Sequence, residues 1–135
     1  MKLEHVGIYA KDVETLANWY INILNLKVTR KLEKSGRPPI YFLKSNEGLE
    51  IEILPTTKEG KPRDLEDKGF SHIGIVVEDF DTVASQLESK GISLHGVRYT
   101  SAGWKIGYFE DPEGNILEIV QRKQNEQNSR TIGHK

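Results

Sequence analysis

Two histidines and two glutamates recur at matching places in this chain, and they are the residues best suited to chemistry. His5 opens the segment His-Val-Gly-Ile-Tyr-Ala, and His72 opens the similar segment His-Ile-Gly-Ile-Val-Val. Further along each half, a short apolar segment carries a glutamate, Glu52 in the first half and Glu118 in the second. Imidazole nitrogens and carboxylate oxygens bind divalent metal ions. A duplication that repeats these residue types inside apolar strands indicates a metal site between the halves more readily than core packing.

This ligand set has a definite chemical use. With two neutral imidazoles, two carboxylates balance the charge of one divalent ion and leave positions for water or for two neighbouring substrate oxygens. The ion would then act as a Lewis acid and, by stabilising a metal-bound enediolate, would lower the barrier to removing a proton beside a carbonyl. Nitrogen and oxygen ligands admit zinc, nickel, cobalt, manganese and iron alike, so we predict one divalent ion without choosing among them.

The composition excludes several classes of partner. Lysine and arginine number 19 against 20 aspartates and glutamates, so no strong field attracts nucleic acid or an anionic membrane. The chain contains no cysteine, which rules out disulfides, thiolate nucleophiles and sulfur-ligated metals. The N-terminal segment offers no long apolar stretch for a signal peptide or a membrane span. We therefore expect a cytoplasmic protein.

Hydrophobic periodicity predicts the same order of elements twice, an α+β fold of two βαβββ modules. In module one we predict a strand at 3–10, a helix capped by Asp12 and running to about Leu24, and strands near 26–32, 40–45 and 49–54, with a polar loop over Glu33–Pro39. In module two we predict a strand at 71–77, a helix from Asp79 or Asp81 to Lys90 ended by Gly91, and strands near 93–99, 104–109 and 116–121.

The length of the chain fits one domain in which the two modules share a core. We place module one at about 1–55, a charged and proline-containing linker at 56–69, and module two at about 70–122. Residues 123–135 form a polar tail with little periodicity, which predicts either a frayed end or an arm that packs on a partner subunit.

Alternation along the predicted strands decides where the polar residues point. In the first strand His5 and Gly7 lie on the face opposite the apolar residues that pack on the helix. By the same alternation Glu52 and Glu118 avoid the helix face of their strands. Two curved half-sheets would form a cup in which the glycines leave space beside the ligands. Glu50 shares the face of Glu52, so on alternation alone it is an alternative ligand.

The two His-x-Gly-Ile openings, the two apolar-Glu-apolar strands and the hairpin Tyr108-Phe-Glu-Asp-Pro-Glu-Gly-Asn-Ile-Leu-Glu118 together resemble the vicinal oxygen chelate superfamily. This group is also called the glyoxalase, bleomycin-resistance and extradiol dioxygenase superfamily, and the resemblance spans about residues 1–122. It implies paired βαβββ modules, commonly assembled as a homodimer, with one divalent ion bound by His5, Glu52, His72 and Glu118. The family precedent of a terminal glutamate that shuttles protons makes Glu118 the first choice for the base and Glu52 the alternative.

Within the superfamily, the ligand set is most similar to that of glyoxalase I. Extradiol dioxygenases hold iron with two histidines and one carboxylate, so Glu52 counts against them. Bleomycin-type binding proteins generally lack the ligands, and fosfomycin-modifying members carry a threonine at the position of Gly7. Bacterial glyoxalase I has an arginine four residues after the first histidine and an asparagine four after the first glutamate, both for glutathione. This chain has Tyr9 and Thr56 there, so glutathione fits it poorly, and a different thiol adduct or another substrate with adjacent oxygens would leave the metal chemistry intact.

We therefore expect a metal-dependent lyase or isomerase of the glyoxalase type that acts on a small α-oxygenated carbonyl substrate. The alternatives are an enzyme similar to methylmalonyl-CoA epimerase and a protein of the same fold that binds an antibiotic or another small molecule. The aromatic residues predicted for the substrate pocket are Tyr9, Tyr41, Trp104 and Tyr108, of which Trp104 and Tyr108 suit the interface between the modules equally well.

Overall fold

The computed structural model describes residues 1–123 and has the predicted α+β class, with two four-stranded sheets and two helices in that part of the chain. The chain divides into two compact units. Unit 1 consists of Met1–Pro62 and Asp111–Gly114, and unit 2 consists of Arg63–Glu110 and, among the described residues, 115–123. Neither helix within residues 1–123 is long and apolar enough to cross a membrane. Of the predicted polar tail, residues 124–135 lie outside the described residues.

Unit 1 contains the predicted βαβββ order. Its elements are β1 (His5–Ala10), α1 (Val13–Leu24), β2 (Lys27–Lys34), β3 (Arg37–Lys44) and β4 (Glu50–Pro55). The strand order across the sheet is β1-β4-β3-β2, in which β1 and β4 are parallel and the other neighbours are antiparallel. The first and last strands of the module therefore lie side by side, which brings together residues that are distant in sequence.

Helix α1 begins where the sequence predicts. Asp12 accepts a hydrogen bond from the backbone N–H of Thr15 at 3.1 Å, and bonds from Thr15 lower the pKa of the Asp12 carboxyl. Asn25, in the left-handed conformation at φ 57°, ends the helix. The apolar residues at helical spacing are buried, and α1 packs on β3 and β4 through the face that carries Val13, Leu16, Ala17 and Tyr20.

The hairpin between β2 and β3 corrects one sequence prediction. The polar loop expected over Glu33–Pro39 is wrong, because β2 continues to Lys34 and β3 starts at Arg37. The connection is the two-residue turn Ser35-Gly36, in which Gly36 takes φ 76°. Proline lacks a backbone N–H and normally indicates a loop, but here the prolines lie beside a register shift in an edge pair, where fewer ladder hydrogen bonds are needed.

Unit 2 repeats the same order and topology. Its elements are β5 (Ile73–Val76), α2 (Phe80–Ser89), β6 (His95–Tyr99), β7 (Lys105–Glu110) and β8 (Ile116–Gln121). The strand order is β5-β8-β7-β6, and β5 is parallel to β8. Of the two predicted caps for α2, Asp79 is the one that accepts from the N–H of Thr82, at 3.3 Å. Gly91, at φ 82°, follows the helix as predicted.

Each sheet buries one face under its helix. In unit 1 the alternating residues Leu43, Ile51 and Ile53 are buried, whereas Glu50 and Glu52 keep partial exposure on the other face of β4. In unit 2 Leu117 and Ile119 are buried and Glu118 between them is not, and Gly107 contacts the ring of Phe80 on α2. The predicted alternation is therefore confirmed in both closing strands, and it leaves the glutamates on the face away from the helix.

The turn Asp111–Gly114 belongs to unit 1, where it contacts the start of α1. The hydroxyl of the fully buried Tyr20 donates a 2.8 Å hydrogen bond to Oδ2 of Asp111. The carboxylate of Glu113 accepts from the backbone N–H groups of Lys11 at 3.0 Å and Asp12 at 3.1 Å. Burial raises the pKa of the Tyr20 phenol strongly, and the charge of Asp111 raises it further.

Removing the Tyr20 hydroxyl tests how much its hydrogen bond to Asp111 contributes to the free energy of unfolding. We expect Tyr20→Phe to lower the free energy of unfolding by about 1–3 kcal/mol, because a buried carboxylate loses a hydrogen-bond donor. Urea unfolding followed by circular dichroism measures the change. Tyr41→Phe is the matched control, since the Tyr41 hydroxyl is 3.4 Å from Glu14 in an exposed contact and its loss should change little. Equal effects of the two variants would contradict the assignment.

The raised pKa of Tyr20 also predicts a loss of stability in alkali. An unfolded tyrosine ionises near pH 10, so above that pH the unfolded state binds fewer protons than the folded state and is favoured. Below about pH 10 we expect Tyr20 ionisation to have no effect on the free energy of unfolding. Above that pH the free energy of unfolding should fall by up to ~1.4 kcal/mol per pH unit. Urea midpoints near neutrality and at about pH 11 should show a smaller fall for Tyr20→Phe. Parallel pH dependences would rule out this contribution.

Candidate metal centre

The structure brings His5 and Glu52 together in unit 1. Nε2 of His5 lies 3.6 Å from Oε1 of Glu52. The parallel pairing of β1 with β4 places Gly7 directly opposite Glu52, and a Cβ at Gly7 would lie 3.7 Å from the same Oε1. The glutamate side chain therefore extends over the glycine toward the histidine two residues earlier on β1.

Unit 2 builds the same pair with the same geometry. Nε2 of His72 lies 3.6 Å from Oε1 of Glu118. Gly74 is opposite Glu118 in the parallel pairing of β5 with β8, and its Cβ would lie 3.6 Å from that oxygen. Both glutamate side chains are well shielded, at 19% and 15% exposure. The fold has thus produced one polar arrangement twice from the same strand topology.

The residue before each histidine fixes the tautomer of its imidazole. Nδ1 of His5 lies 2.8 Å from a carboxylate oxygen of Glu4, which accepts hydrogen bonds and donates none when ionised. Nδ1 of His72 lies 2.8 Å from Oγ of Ser71, whose hydroxyl lies 3.2 Å from the carbonyl of Leu65 and donates to it. With these partners a neutral imidazole carries its proton on Nδ1 and presents the lone pair of Nε2 to its glutamate.

A lone pair that faces a carboxylate oxygen favours a cation between them. Neither neutral Nε2 nor an ionised carboxylate donates a hydrogen bond, so the pair needs a proton or a metal ion to be stable at close range. Zinc bonds of about 2.0–2.2 Å to nitrogen and oxygen at a tetrahedral angle separate two ligand atoms by about 3.4 Å. The observed 3.6 Å fits that separation. Hydrogen bonding of Nδ1 to a fixed partner is also the usual arrangement of a metal-binding histidine.

The geometry distinguishes the two glutamates of β4. Oε2 of Glu50 lies 2.6 Å from the hydroxyl of Thr29, which donates to it. Glu52 faces His5 instead. Alternation left both residues open as ligands. Glu50 is hydrogen-bonded to a hydroxyl of β2, two strands away, whereas Glu52 faces His5, and the choice between them stays a prediction.

Within each unit, two of the four predicted ligands are brought together. Among residues 1–123 no group of three or more histidine, aspartate or glutamate side chains converges in a way that holds a metal ion. The assignment of His5, Glu52, His72 and Glu118 to a single ion therefore stays a prediction.

An aromatic ring packs on each histidine, and one of these rings was not predicted. Phe42 contacts His5 edge to face at 6.1 Å between ring centroids, and Tyr108 contacts His72 in the same way at 5.7 Å. Phe42 is the register partner of Glu52, and Tyr108 is the partner of Glu118. Each aromatic residue stands ten positions before its glutamate, a spacing that could have identified Phe42 from the repeat.

The other predicted pocket residues lie in different places. Tyr9 shares the face of Glu52 and is 67% exposed. Tyr41 is the partner of the buried Ile53 and contacts Glu14 of α1, so it lies on the helix face of the sheet. Trp104 precedes β7, and the guanidinium of Arg122 stacks on its ring at 3.8 Å. Of these residues, Tyr9 and Tyr108 lie on the same sheet faces as the His–Glu pairs.

Comparisons with known proteins agree with the fold. The family model "Glyoxalase/Bleomycin resistance protein/Dioxygenase superfamily" matches residues 2–119. A "Probable lactoylglutathione lyase" from Synechocystis sp. is 28% identical over 133 residues, covering 90% of this chain and 95% of the relative. A glyoxalase family protein from Enterococcus faecalis has a TM-score of 0.76 at 25% identity, covering 88% of this chain and 96% of that one. TnmS3, an antibiotic binding protein from Streptomyces sp. CB03234, shares the fold, with a TM-score of 0.72 at 12% identity over 91% of this chain and 97% of that one.

Proposed function

This chain belongs to the glyoxalase/bleomycin resistance protein/dioxygenase superfamily, and from that premise we propose that it is a metal-dependent lyase or isomerase acting on a small α-oxygenated carbonyl compound. The observation that carries the proposal is the repeated His–Glu pair, with 3.6 Å between Nε2 and Oε1 in both units. Two imidazoles locked with a free Nε2 and two carboxylates form a donor set suited to one divalent ion. Distant relatives named lactoylglutathione lyase support the reaction class.

The chain's own residues would divide the work as follows. A divalent ion held by His5, Glu52, His72 and Glu118 supplies Lewis-acid stabilisation of negative charge on the substrate oxygens. Glu118 takes the proton from the carbon beside the carbonyl onto a carboxylate oxygen and returns it to the neighbouring carbon. Glu52 occupies the equivalent position in unit 1 and is the alternative base.

The surroundings of Tyr9 and Thr56 favour a thiol adduct other than that of glutathione. Tyr9 is exposed and brings no positive charge to the face of Glu52. The hydroxyl oxygen of Thr56 accepts a 3.1 Å hydrogen bond from the backbone N–H of Lys58, so it stabilises the loop that follows β4. We therefore propose that the substrate is a smaller or differently charged adduct with two adjacent oxygens.

Elemental analysis after reconstitution with divalent ions tests the ligand set. We expect about one tightly held ion per chain in the wild type, because the donor set is complete for a single ion. Glu52→Gln and Glu118→Gln should each lose that ion on gel filtration, since a carboxylate ligand is removed. Glu50→Gln is the matched control on the same strand and should retain it.

Two outcomes would revise the proposal. Loss of the ion from Glu50→Gln, with retention by Glu52→Gln, would transfer the ligand role to Glu50. Failure of the wild type to hold any ion would remove the catalytic assignment of all four residues.

Turnover of adducts between 2-oxoaldehydes and a panel of thiols tests the proton transfer. With the divalent ion in excess, so that the weakened site of the variant is refilled, we expect Glu118→Gln to lower kcat, per bound metal ion, by about 10²–10⁴ because the amide cannot accept the proton. Normalising to metal content separates this loss from weaker metal binding. Glu88→Gln, on the exposed side of α2, is the control and should keep wild-type kcat. Full turnover by metal-loaded Glu118→Gln would exclude Glu118 as the base and favour Glu52.

The likeness to an antibiotic binding protein supports one second candidate, a binding protein for an aromatic small molecule. The rings of Phe42 and Tyr108 beside the histidines provide stacking surfaces for such a ligand. Tight ligand binding that persists in the presence of a metal chelator would favour this candidate over the enzyme.

A further inference from the structure

A second histidine–carboxylate pair lies on the same face of the unit 2 sheet as His72 and Glu118. Nε2 of His95, on β6, lies 2.5 Å from Oε2 of Glu110, on β7. His95 is the register partner of Tyr108, and Tyr108 is the partner of Glu118. Paired residues of a sheet point to the same side, so these side chains form one row that continues from the metal-ligand pair to the edge strand.

The ring of Tyr108 lies between the two histidines of unit 2. It contacts His72 edge to face at 5.7 Å and contacts His95 at 6.2 Å with the rings tilted by 33°. The register shift between His95 and Arg98 and the left-handed Gly96, at φ 62°, form an irregularity in β6 next to this contact. A Cβ at Gly96 would lie 3.1 Å from the Tyr108 ring, so the glycine permits the close approach.

The two histidines are held in opposite tautomers. His72 donates through Nδ1 to Ser71 and presents the lone pair of Nε2. In His95 the ionised carboxylate of Glu110 accepts from Nε2, so the neutral ring presents the lone pair of Nδ1. A histidine whose proton-bearing nitrogen is held by its own carboxylate is arranged to accept a second proton on the other nitrogen.

The fold does not require this pair. At the corresponding positions of unit 1 the row reads Arg30, Phe42 and Glu52, and the guanidinium of Arg30 lies 5.8 Å from the Phe42 ring. The His95–Glu110 contact also adds little stability, because the side chains are 55% and 46% exposed. The His95–Glu110 pair lies beside His72 and Glu118 in unit 2, and unit 1 has no equivalent at the matching positions. This difference indicates a chemical use for the pair.

We propose that His95 is an acid–base residue of the reaction and that Glu110 is its positioning residue. This inference rests on the function proposed above. When a substrate hydroxyl next to the carbonyl ionises, its O–H bond breaks, the electron pair stays on the oxygen, and the proton forms a new N–H bond at Nδ1 of His95. Glu110 remains ionised and stabilises the imidazolium, which later returns the proton to the product. The titratable groups that face His95 from β7 are Glu110 and Tyr108, and Arg98 lies further along β6.

The first test is the tautomer of His95 in the metal-free protein, from long-range ¹H–¹⁵N spectra of its imidazole. At a pH high enough for the His95 ring to be neutral, we expect its proton on Nε2 in the wild type. In Glu110→Gln we expect a mixture of the two tautomers. Glu88→Gln is the control for loss of a carboxylate elsewhere in unit 2. A dominant Nδ1–H tautomer in the wild type would overturn the proposal, and this readout does not depend on metal or activity.

The second test counts protons when acetohydroxamic acid, a probe with two adjacent oxygens, binds to the Zn²⁺-loaded protein. The probe binds a metal ion as an anion, so its proton must go to the protein or to the buffer. Calorimetry in buffers of different ionisation enthalpy should show about one more proton released per bound probe in His95→Gln than in the wild type. Glu110→Gln should shift the count in the same direction, and Glu88→Gln should leave it unchanged.

The outcomes separate this inference from the function on which it rests. Equal proton counts in the wild type and His95→Gln, with normal probe binding, would overturn the role of His95 and leave the metal site intact. Absence of probe binding to the Zn²⁺-loaded wild type would overturn the proposed function, and the acid–base role with it, even if the tautomer is as expected.

Discussion

The parallel pairing of the first and last strands of each unit is the constraint on which the candidate site depends. It places Gly7 opposite Glu52 and Gly74 opposite Glu118, so that each carboxylate passes over a backbone without a side chain. The histidine lies two residues before the glycine, on the same face of the sheet. Its Nε2 is 3.6 Å from Oε1 of the glutamate. A larger side chain at either glycine would take the space through which the glutamate reaches its partner. The placement of each His–Glu pair therefore follows from the pairing of the strands.

Much of this arrangement could be predicted from sequence because it depends on local rules. Asp12 and Asp79 cap the helices as expected, and alternation places Glu52 and Glu118 away from them. The extension of β2 and β3 through the predicted loop could not be foreseen, since prolines are tolerated there only because of the register shift in an edge pair. The contact that sets Glu50 apart from Glu52 is made by Thr29 of β2, two strands away, and periodicity does not encode it.

The two units are alike in three strands of each sheet and differ in the fourth, which is β2 in unit 1 and β6 in unit 2. Both carry the histidine, the glycine, the glutamate and an aromatic ring at matching positions. On the next strand, however, unit 1 places Arg30 beside Phe42, whereas unit 2 places His95 beside Tyr108. A permanent positive charge suits the binding of an anionic group, while an imidazole suits proton transfer. The two units thus share the His–Glu pair and its aromatic ring, and they differ at the adjoining position of β2 and β6.

This difference bears on how a carboxylate ligand could also act as a base. A carboxylate that shares its charge with a cation binds a proton less readily, because the cation stabilises the ionised form. As a proposed ligand, Glu118 would therefore have to leave the ion, at least in part, before it could accept a proton. His95 has no such conflict, since its Nδ1 lone pair is separate from the ligand set and its other nitrogen is held by Glu110. A reaction that moves one proton between carbons and another between oxygens is better served by two such groups than by Glu118 alone.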